Sequence, residues 1–112
     1  MSNRRMTQAC LFILMALADR QRHGLGIAGE VERFSGGQVQ LGPGILYGSI
    51  KRLLEKGFIE QPAGEGIPQD ADPRRRYYRL TPRGRAALRS ELSLQARILS
   101  AARSKKVLEE VS

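Results

Sequence analysis

Tyr47, Lys51 and Arg52 follow one another at helical spacing, with Gly44 and Gly48 one turn apart among them. On a helix all five positions fall on one side. That side, which Glu55 shares, offers two cations, one aromatic hydroxyl and two places with no side chain. The chemistry open to such a set is recognition and not bond making. Ammonium and guanidinium groups hold phosphate oxygens through charge-assisted hydrogen bonds, while glycine lets a bulky partner approach the backbone. Glycine inside a helix costs about 1 kcal/mol relative to alanine, so two of them a turn apart mark a surface shaped for close approach, and a phosphate chain is the natural visitor. The residues needed for catalysis are missing. One His and one Cys make neither a zinc set nor a nucleophile and base with a third orienting group, and no glycine-rich phosphate loop is present. Neither an enzyme nor a cofactor is expected.

The charge balance agrees with recognition of a polyanion. Nineteen Lys and Arg against eleven Asp and Glu give +8, which favours nucleic acid, although an acidic membrane surface would satisfy charge alone. From Arg74 to Arg85 there are six arginines with no acid among them. By itself an arginine run is as readily a solvated face, but this one accompanies Lys51 and Arg52. A chain of 112 residues has room for one small core. Cys10, flanked by apolar residues, reads as a small buried hydrophobe in a reducing compartment. Arg4-Arg5 followed by the apolar run 9–18 imitates a short signal peptide. The run is too short to span a bilayer, and a buried first helix is the reading adopted.

Positioning that face requires a scaffold, and the rest of the chain reads as one. Thr7 is an N-cap for a helix to about residue 18 or 20 with no polar side. Gln21-Arg22-His23-Gly24-Leu25-Gly26 reads as a turn, with His23 bonding to nearby backbone. Ile27, Ala28, Val31 and Phe34 then recur at helical spacing until Ser35-Gly36-Gly37. Val39-Gln40-Leu41 alternates as a brief strand would. Pro43 fits the first turn of the central helix and Gly57 its left-handed close, with Leu46, Ser49, Ile50, Leu53 and Leu54 on the core side. Phe58-Ile59-Glu60-Gln61 and Tyr77-Tyr78-Arg79-Leu80 are β-prone and can pair as a hairpin, joined by a loop over 62–76 that is longer than ordinary hairpin turns. Thr81 and Pro82 open a last helix. If helical to about Val111 it would be ~45 Å long, more than so small a domain can cover. Leu88, Leu92, Ala96, Leu99 and Ala102 form one apolar seam along it and Ala87, Leu94, Ile98 and Ala101 a second. Two seams predict two neighbours, the chain's own core and a second copy.

Three ordered motifs carry a family resemblance: His23-Gly24-Leu25-Gly26-Ile27; Leu41-Gly42-Pro43-Gly44-Ile45-Leu46-Tyr47-Gly48 with Lys51-Arg52-Leu53 and Lys56-Gly57-Phe58-Ile59; and Arg75-Arg76-Tyr77-Tyr78-Arg79-Leu80-Thr81-Pro82-Arg83-Gly84. Together, from about residue 9 to residue 90, they resemble the PadR family of bacterial winged-helix transcriptional regulators, in its short type with one C-terminal dimerisation helix. The resemblance implies a mainly α fold with a small β wing, residues 1–80 forming the winged helix-turn-helix and 81–112 the dimerisation helix. It also implies that the recognition helix over 43–56 enters the major groove. DNA contacts are then expected at Pro43, Gly44, Tyr47, Gly48, Lys51 and Arg52, with Arg74, Arg75, Arg76 and Tyr77 of the wing on the backbone or minor groove. The function implied is a cytoplasmic, nucleoid-associated homodimer that represses transcription from a pseudo-palindromic operator until a signal releases it.

The chain departs from the family pattern in three places. Leu25 stands where an aromatic is common, and Gly42 where Ser often caps the recognition helix. The chain has no Trp, so the sandwiching of flat aromatic drugs between tryptophans, known in short members, has no residues here. A small-molecule effector at the dimer interface would meet Leu92, Ala96, Leu99 and the first helix instead. Two other classes of function remain open to the sequence: a winged-helix module that docks on an acidic protein, and a non-specific nucleoid binder.

Overall fold

Thr7, His23 and Thr81 each stand in extended backbone just before a helix and turn a side-chain acceptor toward its first amides. Thr7 Oγ1 accepts from the Cys10 amide at 3.2 Å, His23 Nδ1 from Gly26 at 3.0 Å and Thr81 Oγ1 from Gly84 at 3.0 Å. Each bond satisfies an amide that has no partner inside its helix. The computed structural model describes residues 5–63 and 75–109. In order the elements are α1 (Gln8–Ala16), β1 (Arg22–His23), α2 (Gly24–Phe34), α3 (Pro43–Glu55), β2 (Ile59–Glu60), β3 (Tyr77–Leu80) and α4 (Pro82–Ser104).

The helix ends are closed by one device used three times. After α2 the amide of Gly37 reaches Glu32 O at 2.8 Å, after α3 that of Phe58 reaches Leu53 O at 3.0 Å, and after α4 that of Val107 reaches Ala102 O at 2.8 Å. The residue before each donor is left-handed: Gly36, Gly57 and Lys106, at φ of 65°, 74° and 64°. This is the Schellman arrangement, and the third example stops α4 at Ser104, short of the expected Val111.

α1, α2 and α3 meet in a core of Ile13, Leu14, Ala16, Ile27, Val31, Leu46, Ile50 and Leu53, which Ile59, Tyr78 and Leu88 close from the wing and from α4. Cys10 is buried among them. The expected amphipathic split of α3 is present, with Leu46, Ser49, Ile50 and Leu53 buried and Leu54 half-buried. Arg22 braces the corner between α1 and α2. Its Nε donates to Ala16 O at 2.9 Å, and its Nη2 lies 3.2 Å from Asp19 and 3.7 Å from Glu30. A side-chain hydrogen bond from Arg33, with the charges of Arg22 and Arg33 behind it, holds the Glu30 carboxyl below the usual range against the opposing effect of desolvation.

Three antiparallel strands run in the order β1-β3-β2. Ile59 faces Leu80 and Glu60 faces Arg79, as the expected hairpin requires. On its other edge β3 pairs with Arg22–His23, where a turn was expected, and α2 begins at once with Gly24. The brief strand expected at 39–41 does not form. Val39 and Leu41 pack against the core from an irregular segment, and the Val39 amide is taken by Ser35 Oγ at 3.0 Å. Alternation there records two anchor points without a ladder.

Candidate nucleic-acid interface

α3 shows its expected outward side. Pro43, Gly44, Gly48, Lys51 and Arg52 are exposed, and Tyr47 is 47% exposed. Apart from its chain neighbours and the nearby backbone of its own helix, an alanine methyl built on Gly44 or Gly48 would meet no atom of the described residues within 4 Å. The fold therefore has no packing reason for glycine at either place, although both reduce helix propensity. Other glycines differ. A methyl on Gly24 would lie 2.5 Å from the Tyr47 hydroxyl and 2.8 Å from its ring, so Tyr47 rests on the bare start of α2 and its direction is set by packing.

Wing and helix meet around that tyrosine. His23, Gly24, Leu25, Tyr47, Arg75, Arg76 and Tyr78 line a cleft of about 550 Å³. Arg75 Nη1 lies 3.1 Å from His23 Nδ1 and 3.2 Å from Nε2. The Tyr77 ring meets the His23 ring edge-on at 5.3 Å. Adjacent strand residues face opposite ways: Tyr77 is half-buried against the His23 ring, while Tyr78 turns inward at 5% exposure, packed with the core and forming the inner wall of the cleft. Burial pushes the Tyr78 hydroxyl above its ordinary pKa, the nearby charge of Arg76 opposing this in part. Arg75 and Arg76 are both exposed at the cleft. Arg74 lies outside the described residues.

The arginine run is divided, not shared. Arg79 pairs with Glu60 at 2.7 Å, Arg83 lies over the Phe58 ring at 5.8 Å, and Arg85 donates to Ala18 O at 3.0 Å. The first joins β3 to β2 across the wing and the other two hold α4 against Phe58 and the end of α1, which leaves Arg75 and Arg76 at the cleft. Sequence reasoning missed the parts of His23, Gly24 and Leu25 in this cleft. The only available signal was the His-Gly pair itself, since the contact with Tyr47 joins residues far apart in the chain.

α4 enters the core and then leaves it. Leu88 is 4% exposed, packed within its own chain. From residue 96 to residue 109 every position is exposed except the half-buried Ala102. Leu92, Ile98 and Leu99 are 38%, 51% and 43% exposed, and Ala96 joins them on the surface. Where α4 crosses α1, Met15, Ala18, Leu88, Leu92 and Ala96 line an apolar groove of about 420 Å³, with Arg85 and Arg89 at its edge. Among the described residues no helix is long and apolar enough to cross a membrane.

Residues 13–90 match the Transcriptional regulator PadR-like family. An uncharacterised 37.1 kDa protein of a Streptomyces fradiae transposon is 36% identical over 108 residues, which cover 96% of this chain. The chain spans 29% of that protein's length. Among solved structures, the complex structure of hsRosR, the RosR protein of H. salinarum, is 28% identical with a TM-score of 0.66, covering 91% of this chain and 85% of that one. A PadR family transcription regulator from Clostridium difficile shares the fold at a TM-score of 0.68 and 20% identity, over 91% of this chain and 100% of that one.

Proposed function

The chain belongs to the PadR-like family of transcriptional regulators, DNA-binding proteins and not enzymes, and from that membership we propose that it acts as a cytoplasmic homodimeric repressor. In this reading α3 enters the major groove of a pseudo-palindromic operator while the base of the wing holds the backbone or the minor groove. One observation carries the assignment to this face: Gly44 and Gly48 are bare toward solvent, an added methyl meeting no atom of the described residues within 4 Å beyond its chain neighbours and its own helix backbone, beside the exposed Lys51 and Arg52. A helix that gives up stability on its open side does so for a visitor, and the cations around it select a polyanion. Lys51, Arg52, Arg75 and Arg76 meet phosphates, Tyr47 and the helix face meet base edges, and Tyr77 backs the wing. Arg74, by its place in the sequence, extends the same basic edge.

The second copy belongs on α4. Leu92, Ala96, Leu99 and Ala102 run along the part that leaves the body, and Leu88 anchors the seam at its core end. A two-fold pairing there sets two α3 helices on one side of the dimer, as a palindrome demands. The groove beside Met15 lies next to this seam and is the place for a small-molecule effector.

Salt dependence tests the reading. Four phosphate contacts per protomer give, for a dimer, a log–log slope of affinity against salt of about −7. The measurement is a fluorescence-anisotropy titration on duplexes enriched from a random library, and a slope near zero would remove the proposal. Gly48→Ala separates helix stability from recognition. It should stabilise the isolated protein by up to ~1 kcal/mol in a denaturant melt while weakening duplex binding severalfold. A variant that is more stable and binds equally well would show that nothing approaches the backbone there.

A further inference from the structure

We propose that Leu25 and Ile45 read thymine methyl groups, so that each half-site carries thymines at the base pairs these two side chains face; this rests on the DNA-binding reading of α3. Leu25 is 62% exposed and Ile45 60%. A single aliphatic side chain in water needs no explanation, but the placement of these two does. Around α3, Ile45 and Tyr47 form opposite rims of the exposed arc, with Gly44 and Gly48 between them as a bare floor. Leu25 lines the same cleft as Tyr47, Arg75 and Arg76 and extends the Tyr47 rim. Whatever comes down onto the glycines is gripped by aliphatic carbon on both sides.

In a duplex the major groove offers side chains one apolar handle, the C5 methyl of thymine, while an aliphatic group against phosphate only displaces water. The composition of the two helices sharpens the point. Adenine is read through its N6 and N7 by Asn or Gln, and neither α2 nor α3 contains either residue. An A·T pair facing these helices can therefore be told from the others chiefly from its thymine side. With Lys51 and Arg52 held to phosphates, Leu25 and Ile45 supply the thymine part of the code.

The test uses the purified full chain and a library of random DNA duplexes. The best enriched duplex is resynthesised with deoxyuridine replacing each thymine in turn, which removes one methyl and leaves base pairing intact. At the thymines facing Leu25 and Ile45, affinity should fall about fourfold per methyl, the value of burying one such group. Ile45→Ala and Leu25→Ala should each lower affinity for the thymine duplex by a similar factor, with no further loss when the matching thymine is already uridine. Both side chains are exposed, so unchanged far-UV circular dichroism will certify the fold. An enriched sequence that tolerates deoxyuridine everywhere, or variants that keep full discrimination between thymine and uridine, overturns the inference and leaves the regulator reading standing. Failure to enrich any sequence overturns both.

Discussion

Gly84→Ala is expected to destabilise the protein by about 3 kcal/mol, the upper end of what overpacking a rigid site usually costs. The added methyl would lie 1.9 Å from the carbonyl oxygen of Phe58 and 2.8 Å from its carbon, and backbone cannot swing aside as a side-chain tip does. Moving Phe58 would also break the bonds that seat α4, Thr81 N to Phe58 O at 3.1 Å and Thr81 Oγ1 to Gly57 O at 2.7 Å. For a domain of about this size the melting temperature should drop by on the order of 15 °C, read by thermal circular dichroism. Gly44→Ala, where the methyl meets only space, is the control and should melt no lower than the parent. Equal melting of Gly84→Ala and the parent would mean that α4 is not held by this crossing.

The combined variant Lys51→Ala with Arg52→Ala is expected to lower operator affinity on the order of 100-fold while the fold and the oligomeric state stay as they were. Both side chains are exposed on α3, and the side-chain hydrogen bond given up among the described residues is a long one from Arg52 to Ser49 Oγ at 3.4 Å. Each lost phosphate contact removes about 0.9 from the salt slope, so a dimer that loses four should show a slope lower by nearly 4 in magnitude. Arg75→Ala should act differently, weakening binding to all sequences alike, as a backbone contact does. Retention of parental affinity by the double variant would take α3 out of the interface.

The two glycine experiments use opposite properties of one residue type. Gly84 is glycine because its own chain occupies the space, and Gly48 is glycine although no described residue does. From sequence both read only as breaks in helix propensity. The motif Thr81-Pro82-Arg83-Gly84 announces a helix start through its cap and its proline, but the crowding by Phe58 comes from a strand turn earlier in the chain and appears only when that turn is folded.

What the amino-acid order decided is what acts within a few residues. The caps at Thr7 and Thr81, the left-handed Gly57 and the two faces of α3 follow from bonds and periodicities of short reach and appear where the sequence places them; the pairing of β2 with β3 reaches further and was legible because both runs are β-prone and adjacent in chain order. Contacts between distant segments were decided by the tertiary structure. Two residues, Arg22–His23, are too short to show a strand period, and they become β1 because Tyr77 and Tyr78 present an open edge to them. Lys106 turns left-handed without glycine's freedom, ending α4 early. The six arginines look alike in sequence, yet Glu60, the Phe58 ring and the carbonyl of Ala18 claim three of them, while Arg75 and Arg76 remain at the cleft. Charge and propensity are properties of a residue; the partner that a side chain meets is a property of the packed chain.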